Sequence, residues 1–266
     1  MAFQEITRSG VTFYASDALS GVVHGFATRL GGVSRGKFDS LNLSDTRGDD
    51  PDCVRENLRR FRVAVGVPEQ AHIYLPLQIH GTVVWRVDRD TDPAPVQADA
   101  VITDVPGLPI GVRHADCVPI LIRDAGGRAV AAVHAGWRGT AAGVVSAAVA
   151  ALGEQYGCVP PQLYAAVGPC ICPDCFETDA DVPEAILANL GPEAAPYLPK
   201  RGRKYHPDLR AVNALWLRRA GVPADHIDIA AVCTCCRPDQ FWSHRRLGEE
   251  RGCQASVIML PEEGIK

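Results

Sequence analysis

The chain has 266 residues, 47% of them hydrophobic and 22% charged, with a net charge of −4. That composition excludes wholesale disorder, and the length suits one large α/β unit or two packed halves. No apolar run approaches the ~20 residues that cross a bilayer, residues 1–10 lack the apolar core of an export signal, and a mildly acidic chain without a basic block is a poor nucleic-acid binder. The expectation is one cytoplasmic globular unit over residues 1–266, with neither membrane nor nucleic acid as partner.

Residues 28–36 and 42–51 are turn-rich. Asp50-Pro51 then opens a helix, because proline fits a first helical position and Asp52 and Glu56 suit the N-terminal dipole. Val54, Leu58, Phe61 and Val65 recur at helical spacing, and Gly66 ends the run. The middle is β-rich. Strands are expected at 83–87, 100–103, 109–112 and 118–123, with Ala125-Gly126-Gly127 turning a hairpin into 129–134. An alanine- and valine-rich helix follows over about 140–153, then a strand at 163–167. Helices at 183–190 and 208–220 flank a proline-rich loop at 191–207, and strands at 227–232 and 255–260 close the chain. Hairpins mixed with helices, without strict βαβ alternation, predict an α/β (mixed α+β) layered fold of β-sheets flanked by helices.

The 10 cysteines do not read as a disulfide framework, which belongs to shorter, secreted chains. They read as reduced thiols: small buried hydrophobes, metal ligands or a nucleophile. Three junctions bring ligand types to strand ends or glycines: Gln78-Ile79-His80-Gly81, His114-Ala115-Asp116-Cys117 and His134-Ala135-Gly136-Trp137-Arg138-Gly139. Two imidazoles and a thiolate from His80, Cys117 and His134 form a sound catalytic zinc shell with an open fourth position. The same atoms also suit a metal-free site, with Cys117 as nucleophile, a histidine as its base and Asp116 assisting. Spacing does not separate the two. Cys172 and Cys175 form a CxxC within 170–175, and 233–236 adds three more cysteines. Without the regular paired spacing of a zinc ribbon, buried or half-exposed thiols are the default there.

Arginine supplies nearly all the positive charge, with lysine only at 37, 200, 204 and 266. Arg29, Arg138 and Arg245-Arg246 sit in turn-like contexts, and a guanidinium fork matches phosphate or carboxylate oxygens. Trp137 and Trp242 suit base stacking, with core packing as the ordinary role.

Taken together, several motifs resemble the YfiH/YlmD family, also called the multicopper polyphenol-oxidase or laccase-domain family and related to mammalian FAMIN. They are HGFATRLGGVS from His24, LQIHG from Leu77, ADAVIT from Ala98, HADCVPIL from His114, AVHAGWRGT ending at Thr140, and CTCCRPDQFWSHRR from Cys233. They run through nearly the whole chain in the family's order. The resemblance implies a monomeric α/β domain with Zn2+ on His80, Cys117 and His134, Cu2+ being the alternative ion. It implies phosphorolysis of adenosine, inosine or guanosine to base and ribose 1-phosphate, with methylthioadenosine cleavage and adenosine deamination alongside. The partners are then a purine nucleoside and phosphate. Copper-dependent phenol oxidation (laccase activity) and hydrolysis of a UDP-muramoyl-serine precursor are the family's other labels. Catalytic roles fall on Cys117, His80, His134 and Asp116, with His114 a further proton-transfer candidate. Arg29, Asn42, Gln78, Arg138 and Arg246 are the substrate- and phosphate-binding candidates. Two departures stand out. The family pattern GPxIGxxxYEV reads GPCICPDCFET here, with Cys172 at the second glycine, and FFSYRR reads FWSHRR, with His244 at the tyrosine.

Overall fold

The computed structural model describes residues 2–262. Three strands open the chain where periodicity predicts none: β1 (Phe3–Arg8), β2 (Val11–Ser16) and β3 (Val23–Ala27). β1 is largely exposed, so its polar sequence hides it. The turn to β2 is Ser9-Gly10, with φ of 51° and 78°. Two consecutive positive φ angles are what a tight right-twisted hairpin demands.

Helix α1 (Pro51–Val65) follows the prediction. The Asp50 side chain accepts from the Asp52 N–H, and Gly66 closes the helix in the left-handed region at φ 91°. The β-rich middle holds β4 (Val84–Arg86), β5 (Ala100–Thr103), β6 (Ile110–His114), β7 (Val118–Asp124) and β8 (Val130–Ala135). The helix expected at 140–153 is two helices, α2 (Trp137–Ala142) and α3 (Val144–Tyr156). Gly143 at φ 80° separates them, and a Cβ there would lie 3.2 Å from the Trp216 ring. The remaining elements are β9 (Leu163–Val167), α4 (Asp181–Leu190), a short ribbon of β10 (Lys200–Arg201) and β11 (Lys204–Tyr205), α5 (Leu209–Arg219), β12 (Ile227–Ile229), α6 (His244–Leu247) and β13 (Gln254–Met259). The expected loop at 191–207 thus contains a 3₁₀ turn and the ribbon. Among the described residues no helix is long and apolar enough to cross a membrane.

The first sheet runs β1-β2-β3-β13-β6 and is antiparallel throughout. The second runs β12-β9-β7-β8-β5-β4, parallel at both edge pairs and antiparallel between them. The sheets face each other through Phe26, Ile110, Val112, Leu121, Ala132, Ala166 and Ile258. Ile120, Ile122, Val133 and Ala165 point the other way, onto α3 and α5. Because both faces of the second sheet are covered, its central strands read as continuous apolar runs. Helix α1 covers the outer face of the first sheet through Phe61, Ala64 and Val65. Of the candidate junctions, residues 114–117 join β6 to β7, residues 134–139 leave the end of β8, and residues 78–81 precede β4.

Gly168 packs between Phe26 of the first sheet and Pro119 of the second. A Cβ there would stand 2.3 Å from the Phe26 ring and 3.0 Å from Pro119. Overpacking at such a contact costs roughly 1–3 kcal/mol. A Gly168→Ala protein is expected to lose that much in urea unfolding, and an unchanged midpoint contradicts this packing.

Candidate active site

A buried carboxylate organises the junctions. Asp99 precedes β5 and is wholly buried. Its Oδ1 accepts from His134 Nδ1 at 2.8 Å and from the His80 N–H at 3.0 Å. Its Oδ2 accepts from the Gly81 N–H at 2.7 Å and the Ile79 N–H at 3.2 Å. The Asp99 carbonyl accepts the His134 N–H at 2.7 Å. With Nδ1–H donated to Asp99, His134 keeps the lone pair on Nε2 that a ligand needs. The same carboxylate holds His80 at φ 61°, a left-handed conformation unusual for a side chain of this size.

His80 Nε2 lies 3.9 Å from Cys117 Sγ, and the two imidazoles stand at 77° with centroids 5.0 Å apart. One ligand atom from each of His80, Cys117 and His134 lies within 4.8 Å of the other two. Zinc-type bonds of about 2.0–2.3 Å fit a triangle of that size with little closure. The donor set, two imidazoles and a thiolate, suits a borderline divalent ion. Gly136 makes the approach possible: a Cβ there would lie 2.5 Å from the His80 ring and 3.2 Å from Cys117 Sγ.

Charge follows the geometry. Burial alone would raise the Cys117 thiol, but the His134 charge and hydrogen bonds from His134 and His80 outweigh it and bring the pKa down to about 6. Burial would lower His134, but the Cys117 thiolate and Asp99 lift it to about 9. Each member of the pair thus favours the charged form of the other. Asp99 stays below the usual carboxylate range: burial opposes this, and His134 and the backbone N–H groups overcome it. His114 is different. Burial brings it down to about 3, and its Nε2 bonds Ser256 Oγ at 2.8 Å, so a neutral imidazole stands there.

Two cavities meet at His80 and Cys117. One, of about 250 Å³, reaches His134, Gln78, Arg47, Arg113 and Arg251. The other, of about 390 Å³, has Trp137, Phe176, Arg138, Arg245 and His244 in its wall. Arg47 and Arg251 line both; Arg113 belongs to the first alone, the arginine cavity, and the Trp137 and Phe176 rings to the second alone, the aromatic cavity.

The chain resembles known proteins over most of its length. The family model described as multi-copper polyphenol oxidoreductase laccase matches residues 23–261. The chain belongs to that family. A purine nucleoside phosphorylase, YlmD, of Geobacillus stearothermophilus is 34% identical over 92% of this chain and 92% of its own length. The adenosine deaminase RL5 of an unknown prokaryote is 37% identical over 86% of this chain and 91% of its own. The crystal structure of YlmD from Geobacillus stearothermophilus superposes with a TM-score of 0.91 at 33% identity, covering 98% of this chain and 99% of that one. Members of the laccase family thus include named nucleoside enzymes, and this chain is an enzyme of the family.

Within this family member, the candidate residues separate by position. His80, Cys117 and His134 converge. Asp116 lines the aromatic cavity at φ 87°, but its carboxylate already accepts from Thr234 Oγ1 at 2.6 Å, Ser243 Oγ at 2.9 Å and the Arg245 N–H at 2.6 Å. Gln78 lines the arginine cavity and clamps the Arg113 backbone, donating to its carbonyl at 2.6 Å and accepting its N–H at 2.7 Å. Arg138 is exposed at the aromatic cavity, stacked 4.2 Å over Trp137. Three candidates stand apart from both cavities. Arg29 donates to the Asp39 and Pro238 carbonyls and lies 3.7 Å over Trp242. Asn42 is buried and holds Ser44, Asp49 and Cys253. Arg246 donates from Nε to the Cys235 carbonyl at 3.0 Å. Sequence reasoning missed Asp99, although it lies inside the ADAVIT motif, and it missed Arg47, Arg113 and Arg251, which only the fold gathers.

Two outcomes check this geometry. Asp99→Asn should weaken metal affinity by roughly 10–100-fold in chelator competition, as loss of a histidine-orienting carboxylate does. In metal-free protein, Cys117 alkylation followed by peptide mass mapping should be half-maximal near pH 6. His134→Ala should move that midpoint up toward the ordinary thiol value of about 8.5, because the thiolate loses its neighbouring cation. A wild-type midpoint already there refutes the ion pair.

Proposed function

We propose that this chain is a Zn2+-dependent purine nucleoside phosphorylase that also deaminates adenosine. The observation that carries the reading is the pair of cavities joined at His80 and Cys117, with Arg47 and Arg251 in both walls, Arg113 in one and the Trp137 and Phe176 rings in the other. An anion needs guanidinium groups and a purine needs apolar faces beside one reacting centre. The names borne by the relatives agree with it.

His80, Cys117 and His134 would hold the ion, and bound there it supplies Lewis acidity beside the substrate. The remaining work falls to side chains. Arg47, Arg113 and Arg251 bind phosphate and hold it against the anomeric carbon. A phosphate oxygen forms the new C–O bond as the glycosidic C–N bond breaks, and the electron pair leaves with the purine, which takes up the proton that the phosphate gives up. Trp137 and Phe176 offer apolar faces to the purine. Asp116, saturated by three donors, positions the wall from 234 to 245 and moves no proton in this scheme. His114, neutral and buried, likewise takes no acid role.

Phenol oxidation by several coppers is a weaker reading. Eight histidines are spread through the chain, and among the described residues only His80 and His134 join a multi-ligand group. Copper on this one site is chemically open, since Cu2+ outbinds Zn2+ at most such ligand sets.

The test is incubation of the zinc-loaded protein with adenosine and phosphate. Adenine with ribose 1-phosphate, and inosine from water alone, are expected; no product of either kind overturns the proposal. Arg113→Gln separates the halves. It should raise KM for phosphate by roughly 10–100-fold, the loss of a charge-assisted bond of about 1.5–3 kcal/mol, and leave deamination nearly untouched. Equal damage to both reactions removes phosphate from the arginine cavity.

A further inference from the structure

The metal-ligand triad does not use the other cysteines, yet the fold gathers four of them. Cys172 and Cys175 lie on the segment after β9, and Cys233 and Cys236 on the segment after β12. Both pairs are C-x-x-C turns. A parallel bridge pairs Cys170 with Cys233, and the Thr234 N–H bonds the Cys170 carbonyl at 3.1 Å, which brings the turns side by side. Cys236 Sγ then lies 3.9 Å from Cys172 Sγ and 3.4 Å from Cys175 Sγ, and all four sulfurs fall within 4.8 Å of one another.

We propose that Cys172, Cys175, Cys233 and Cys236 form a second, mononuclear tetrathiolate zinc site that clamps these two turns together. Four sulfurs at about 2.3 Å from one ion form a tetrahedron with edges of about 3.8 Å, and the observed separations bracket that length. The backbone supports thiolate at the innermost sulfur. Cys233 Sγ accepts the Cys172 N–H at 3.2 Å and the Cys236 N–H at 3.4 Å. The neighbouring cysteines stand outside the group. Cys170 is fully buried and bonds the Ile171 carbonyl, while Cys235 is buried and serves Arg246 through its carbonyl. Binding releases the thiol protons to solvent as four Zn–S bonds form, and no electron is transferred.

The clamped turns are irregular backbone with no sheet of their own. They carry Ile171 and Phe176 into the aromatic cavity, and Thr234 holds Asp116. The ion would replace the missing ladder in that wall. The site stands independently of the purine reading, because its ligands touch none of the proposed chemistry.

Metal analysis of the purified full-length protein tests it. Wild type should carry about two zinc ions per chain, and Cys117→Ser and Cys236→Ser about one each. X-ray absorption on zinc in Cys117→Ser should give an all-sulfur shell at about 2.3 Å. That measurement stands even if Cys236→Ser fails to fold. A Cys117→Ser protein without metal, disulfides among the four cysteines, or an iron–sulfur cluster in their place overturns the proposal.

Discussion

The Asp99 carboxylate is the interaction on which the site depends. It is a buried charge, and burial of a charge is costly unless every lone pair finds a donor. Here the donors are His134 Nδ1 and the N–H groups of residues 79 to 81. One group thus fixes a tautomer on β8 and the backbone of a loop far away in sequence. The strained φ of His80 is tolerable because three N–H bonds to Asp99 surround it. Cys117 enters the same arrangement electrostatically, since Cys117 and then Asp99 push His134 up while His134 draws the thiol down.

The layers explain why those parts meet. The second sheet is covered by helices on one face and by the first sheet on the other, so its strands carry almost no polar side chains until their ends. His134 sits one residue before the end of β8, and His114 ends β6. The rigid interior stops there, and the reactive groups begin. Gly136 permits the last approach, leaving the His80 ring room where any side chain would intrude.

Much of this was legible in the chain. Helix α1 announced both ends, because Asp50, Pro51 and Gly66 each act locally. The β7–β8 hairpin was legible for the same reason. Strand β1 was not, since an exposed edge carries no apolar period, although Ser9-Gly10 was a usable turn signal. The division at Gly143 was hidden by an apolar run that suits either one helix or two. The grouping of His80, Cys117 and His134 was expected from motif resemblance rather than spacing. Asp99 was invisible because nothing local distinguishes a histidine-orienting carboxylate from a surface one. The contacts of the arginines were hidden for a related reason: Arg29 and Arg246 look free in sequence, and only the fold supplies the carbonyls they bond. The second C-x-x-C was present in the letters, but its partner lies across a bridge that no local pattern encodes.

The position of β13 has a consequence for biosynthesis. It lies between β3 and β6, so the last strand among the described residues is an inner strand of the first sheet. On the ribosome, β1 to β3 and β6 must wait for residues 254–259 before their ladder can close. Until then two strands present open edges, the kind of surface that templates intermolecular pairing. Pairing across so long a separation also slows folding. The newborn chain therefore passes through a vulnerable interval that ends only when residues 254–259 have been made.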